Sequence, residues 1–110
     1  MTLADFEQQI FAVALNSPLC DIPTVVRWTA TAIKIRVQTT VGEYIDAFYN
    51  EQTGTTAYAL IEQSQRIFGA DNTGGWHYHP FHDPTRHDPL PGTMTFAEFV
   101  TQIEQHYGLT

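Results

Sequence analysis

One cysteine, Cys20, and only five Lys or Arg residues occur among 110 positions. A lone thiol closes no internal disulfide and supplies no Cys-x-x-Cys zinc clip, so neither device props up the fold. Long apolar runs are missing as well. The longest, Ile10-Phe11-Ala12-Val13-Ala14-Leu15, falls far short of the roughly 20 residues that span a bilayer. No basic start or small-residue cleavage pattern marks a signal peptide. A cytoplasmic protein with no membrane role is the expectation. Twelve acids against the five bases give a net charge of -7, which repels nucleic acid at long range and speaks against a tight, nonspecific DNA binder. A phosphate loop is absent too: Gly69, Gly74 and Gly75 have neither a following Lys-Ser/Thr nor an immediate helix.

What is there suffices for one packed core, since 43% of the residues are hydrophobic, and residues 1–110 read as a single domain. Leu3, Phe6, Ile10 and Val13 recur at helical spacing behind Thr2, with Asp5 three residues past that cap, and predict an amphipathic helix to about Leu15. Residues 24–40 are dense in Val, Ile and Thr, which predicts a long strand or a bent pair. Turns at Gly42, at Gln52-Thr53-Gly54 and at Gln63-Ser64-Gln65 separate "EYIDAFYN", "TTAYALIEQ" and "RIFGA" as successive antiparallel strands. Thr95-Phe96-Ala97-Glu98 is a capping box. Phe99, Val100, Ile103 and Tyr107 then share one helical face, and Gly108 is a stop. The order predicts an α+β fold: an antiparallel sheet of about four or more strands, flanked by N- and C-terminal helices on one face.

The chemistry concentrates in "GADNTGGWHYHPFHDP", residues 69–84, where an Asp-Asn-Thr-Gly-Gly turn precedes three of the chain's five histidines. Pro80, Pro84, Pro89 and Pro91 make the following segment a long, semi-rigid loop, packed through Trp76, Tyr78 and Phe81. If residues 76–79 run on as a strand, His77 and His79 point to one side, about 6.6 Å apart at the backbone from a rise of ~3.3 Å per residue. His82, Asp83 and His87 are placed to fold back onto them. Three readings of these groups stay open. His77, His79 and His82 have ligand chemistry for zinc or another divalent metal. Alternatively, a neutral imidazole deprotonates a nucleophile and a protonated one protonates the leaving group, with Arg66 or Arg86 stabilising charge on phosphorus and no cofactor needed. In the third, the histidines only bond to backbone or stack among Trp76 and Tyr78. Asp71 reads as a turn former, or as a carboxylate that orients an imidazole. Cys20 reads as a small buried side chain.

Three bases, Arg27, Lys34 and Arg36, fall on one ten-residue stretch. Screening over roughly 8 Å at physiological salt lets such a patch act locally in an acidic protein, although solvated strand charges look the same in sequence.

The stretch "YALIEQSQRIFGADNTGGWHYHPFHDPTRHDP", followed by a short C-terminal helix, resembles the TumE family of small toxin components from prokaryotic toxin–antitoxin pairs. In that family a strand ends in an Asp-Asn pair, a His-containing, Pro-rich loop follows, and a further His precedes the last helix. Asp71, Asn72, His77, His79, Pro80 and His87 match this pattern in order, over residues 58–110. The chain departs from it where many members carry Arg two residues before the Asp-Asn pair; here that position is Gly69 and the nearest arginine is Arg66. It departs again at Thr85-Arg86-His87, where many members have His-x-His. The resemblance implies a toxin with a helix-turn-helix antitoxin as partner, and an acidic surface suits a partner with basic groups.

Two functions are expected on these grounds. The first is a toxin component that cleaves RNA or another phosphate-bearing substrate without metal. Its catalytic set is His77, His79, His87 and Asp71, and its substrate contacts are Arg66, Arg86, Asn72 and Trp76. The second is a non-enzymatic module that binds a metal or a protein, including another copy of itself as a homo-oligomer.

Overall fold

A computed structural model describes residues 1–109. Helix α1 (Leu3–Leu15) starts where the sequence puts it: the Thr2 hydroxyl accepts from the Asp5 N–H, and the Asp5 carboxylate accepts from the Thr2 N–H. Strands β1 (Thr24–Trp28), β2 (Ala32–Gln38), β3 (Tyr44–Asn50), β4 (Thr56–Glu62), β5 (Gln65–Asp71), β6 (His77–His79) and β7 (Asp88–Pro89) form one sheet in chain order, antiparallel throughout. Helix α2 (Phe96–His106) closes the chain through the capping box of Thr95 and Glu98. The fold is α+β, and the sheet has seven strands among the described residues.

Residues 24–40 are the bent pair, with β1 and β2 forming a hairpin and an irregularity between Val25 and Arg27. Between β4 and β5 the chain turns through Gln63 and Ser64, both at positive φ (50° and 67°). That handedness matches the twist of the flanking strands, as in the two-residue hairpin turns usually built from Asn and Gly. The short strand β7 corrects the sequence reading of residues 80–91 as loop throughout. It pairs Pro89 with His77 and Asp88 with Tyr78, and so folds the segment back along β6.

Strands β2, β3 and β4 alternate in burial, and the alternation gives the sheet two different faces. Ile33, Ile35, Val37, Ile45, Ala47, Tyr49, Tyr58, Leu60, Phe68 and Ala70 face inward and are buried. Both helices cover that side. Phe6 of α1 stacks on Tyr49 at 5.2 Å between ring centroids, and Phe99 of α2 packs on Tyr58 and Phe68 at 5.4 and 5.0 Å. Burying each such side chain contributes about 1.5–3 kcal/mol. Among the described residues the opposite face has no helix over it, and it carries Lys34, Arg36, Phe48, Ala57, Ala59, Asp71, His77 and His79. No helix among the described residues is long and apolar enough to cross a membrane.

Candidate functional site

The site grows from the far end of that open face. In the pairing of β5 with β6, Asp71 stands opposite His77 and Gly69 opposite His79, and directly paired residues of neighbouring strands share a face. The two imidazoles therefore project beside the carboxylate that ends β5. Nε2 of His77 lies 3.3 Å from Oδ1 of Asp71, and Nε2 of His79 lies 3.2 Å from Oδ2. One carboxylate thus spans two rings. His87 closes the group from the returning loop, with ring centroids 4.9 Å from His77 and 4.5 Å from His79.

Backbone carbonyls fix which ring nitrogen carries a proton. A carbonyl can only accept, so Nδ1 of His77 donates to Gly75 O at 3.0 Å, and Nδ1 of His79 donates to Arg86 O at 3.1 Å. Both Nε2 atoms are left facing Asp71. The Arg86 carbonyl also explains how His87 reaches the group, because anchoring residue 86 against β6 brings the next residue over it.

Burial separates the three rings. His79 is 2% exposed, the His77 side chain 15%, and His87 is exposed. Burial holds the His79 imidazole below its ordinary pKa, with the Arg66 and His87 charges acting the same way and the Asp71 hydrogen bond opposing. For Asp71, burial would raise the carboxyl, yet the Thr73 N–H together with His79 and His77 holds it below the usual carboxylate value. Asp71 therefore stays charged beside the buried His79 ring.

The remaining sequence-predicted residues divide. Arg66 lies at the site: its stem crosses Gly69 so closely that a Cβ there would stand 2.9 Å from Arg66 Cδ, while its Nη2 donates to Pro84 O at 3.1 Å. A glycine at 69 leaves the room through which Arg66 reaches the histidines. Arg86 contributes its carbonyl, and its guanidinium is clamped on Asp88 at 2.8 and 2.6 Å. Asn72 is not free to hold a substrate through its amide. Oδ1 accepts from the Thr56 N–H and Nδ2 donates to Gly54 O, which ties the β5–β6 turn to the start of β4. Trp76 does not join the cluster either, because it stacks toward Tyr58 on the helix-covered side, 6.3 Å between centroids.

His82 is the correction to the metal triad read from sequence. It lines a cleft of about 690 Å³ with Phe81, Tyr78 and His106, beside the Phe68–Phe81–His106 stack. The three imidazoles whose donor atoms come within 4.8 Å of one another are those of His77, His79 and His87. His77 and His79 do lie on a strand, and His79 is buried in it. No family model matches the chain, and neither a curated protein nor a solved structure matches it.

Proposed function

We propose that this protein is the toxin component of a toxin–antitoxin pair and that it cleaves RNA by metal-independent acid–base chemistry at the histidine cluster. The observation that carries the chemistry is the difference in exposure within one constellation. His87 is exposed, the His77 ring 4.9 Å from it between centroids keeps 15% of its side chain exposed, and His79 beneath them is buried at 2% against Asp71. His77 and His87 are the acid–base couple. One takes the proton of the ribose 2′-hydroxyl as that oxygen attacks phosphorus, and the other gives a proton to the departing 5′-oxygen, leaving a 2′,3′-cyclic phosphate and a 5′-hydroxyl. Arg66 sets positive charge beside the reacting phosphate. Asp71 and His79 are positioning residues, holding His77 and the returning loop in place.

The toxin assignment rests on the resemblance of residues 58–110 to the TumE family, and a helix-turn-helix antitoxin is its implied partner. The acids Asp5, Glu7 and Glu98 on the helices, which contain no Lys or Arg, suit a basic partner there. Expression without an antitoxin is expected to arrest growth, and His77→Ala or His87→Ala to relieve it. Purified protein is expected to cleave the dinucleotide UpA in excess EDTA. Absence of cleavage with and without divalent metal would sink the catalytic reading.

A metal-binding reading has one observation in its favour. Metal-bound histidines usually donate their other ring N–H to a carbonyl or carboxylate, as His77 and His79 do through Nδ1. Two donors on one tetrahedral zinc stand about 3.3 Å apart, from bonds of roughly 2.0 Å, and the Nε2–carboxylate separations are 3.3 and 3.2 Å. His77, His79 and His87 with Asp71 would hold the ion. Zinc retained through dialysis by wild type and by His82→Ala, but lost by His87→Ala, would select this reading over the metal-free one.

A further inference from the structure

The register of the sheet connects the cluster to the far strands. Residues paired across successive strands form rows on one face. One row on the open face runs Thr24, Arg36, Asp46, Ala59, Gly69, His79, and its neighbour runs Arg27, Lys34, Phe48, Ala57, Asp71, His77. Both rows carry cations near β1 and β2, cross small side chains in the middle, and end at the histidines. From β2 to β6 is four strand spacings of ~4.8 Å, or about 19 Å.

Charge is segregated to match. Arg27, Lys34, Arg36 and Arg66 all stand on the open face, and Arg86 lies on the loop folded against His79. Those are all five Lys and Arg residues of the chain. Against its four cations the open face sets Asp46 and Asp71, so it is locally positive within a chain of net charge -7. Lys34 and Arg36 share Asp46 at 3.4 and 2.9 Å, and the Arg36 guanidinium lies 4.2 Å from the Tyr44 ring centroid. Phe48, partly exposed between Lys34 and Ala57, offers a ring face in the same row.

We infer that this face is a track for single-stranded RNA, laid across the strands from Arg27 and Lys34 to the histidine cluster. The inference deepens the reading of that cluster as an RNA-cleaving site, and rests on it for the identity of the strand. Cations spaced along a groove with an aromatic platform are how single strands are held without sequence readout. A duplex is too wide and stiff to put one phosphate at the cluster while its neighbours follow the rows. The Ala57 and Ala59 floor leaves room for the chain to pass up to the Arg66 stem over Gly69, and about 19 Å accommodates roughly three to five nucleotides at 3.4 Å or more per phosphate.

The test uses a labelled 2′-O-methyl oligouridine, which lacks the attacking hydroxyl and so reports binding alone. Anisotropy titrations over a range of KCl are run on wild type and on the Arg27→Ala/Lys34→Ala double variant, with Arg27→Gln/Lys34→Gln as a second version and thermal melts confirming that each is folded. Removing one cation that neutralises a phosphate lowers the salt slope by about 0.7, so the double variants are expected to fall by about 1.4. Phe48→Ala is expected to weaken binding by roughly tenfold through the loss of base stacking. Unchanged slopes in folded variants, or duplex RNA bound as tightly as the single strand, would overturn the track and leave the face to a protein partner. UpA cleavage is scored separately. Its absence in wild type, with the oligouridine slope behaving as expected, would sink the cleavage reading while the track stands.

Discussion

Replacing His79 and replacing His87 should affect folding very differently while both silence the site. His79 is 2% exposed, and its ring is wedged between the Arg86 carbonyl and the Asp71 carboxylate. His79→Ala takes the ring away from the Arg86 carbonyl and from Oδ2 of Asp71, while Oδ1 keeps the Thr73 N–H and His77. Each buried polar group so stranded costs about 1–3 kcal/mol, and the Asp71 side chain, at 18% exposure, recovers part of its share from water. The expected loss is about 2–4 kcal/mol. At about 4 °C per kcal/mol for a domain of this size, the midpoint of a thermal melt followed by circular dichroism should fall by roughly 8–16 °C. His87 is exposed, and its truncation should cost under about 0.5 kcal/mol, a shift of about 2 °C or less. Cleavage of UpA should nonetheless fall about 10²–10⁴-fold in His87→Ala, the usual worth of a positioned acid or base. A His79→Ala protein that melts with wild type would refute the wedge. A His87→Ala protein that cleaves at the wild-type rate would refute its place in the acid–base couple.

Phe99→Ala should destabilise by about 3–5 kcal/mol, read from urea denaturation, since Phe99 is fully buried against Tyr58 and Phe68. Gly69→Val should lower both stability and cleavage: its Cβ would meet Tyr58 O at 3.1 Å as well as Arg66 Cδ, and overpacking of this kind costs about 1–3 kcal/mol. Stability should also fall with acid in two stages. His79 is held low by burial, so the unfolded chain takes up its proton first; the stability it contributes is present above about pH 6.5 and drains away as pH falls through the lower folded value. Asp71 is likewise held low, and its contribution is lost below about pH 4. Melts of His79→Gln across this range should lack the first stage, and a persistent first stage would assign it to another group.

Much of this architecture can be read from the chain because its signals are local. Thr2 with Asp5 and Thr95 with Glu98 form the capping boxes that their spacing predicts. The alternation of Ile33, Ile35 and Val37 with Lys34 and Arg36 gives both a strand and its two faces. What escapes is set by pairing over distance. Strand β7 is two residues long and contains proline, which argues against a strand in any sequence reading, so only its partners on β6 reveal it. Trp76 stands one position before His77, yet it lies on the covered side with Tyr58. His82 and His87 are indistinguishable in sequence as loop histidines. The hydrogen bond from His79 to the Arg86 carbonyl, together with the pairing of Pro89 with His77, decides which of them returns to the cluster. The segregation of the cations is likewise invisible until five successive registers are counted from β1 to β6.

Strand order equal to chain order has a consequence for the life of the molecule in the cell. Each strand docks on the one made just before it, so the sheet can grow by local steps with little loop entropy to overcome. During synthesis the strands bearing the histidines are the last to find a partner, and α2, which seals the core beneath them, is later still. At about 5–20 residues per second, the ribosome needs a few seconds to add the residues beyond His79. For that interval the nascent chain carries a nearly finished sheet without the assembled histidine cluster. A partner that recognises the early strands or α1 can be in place before the three rings come together.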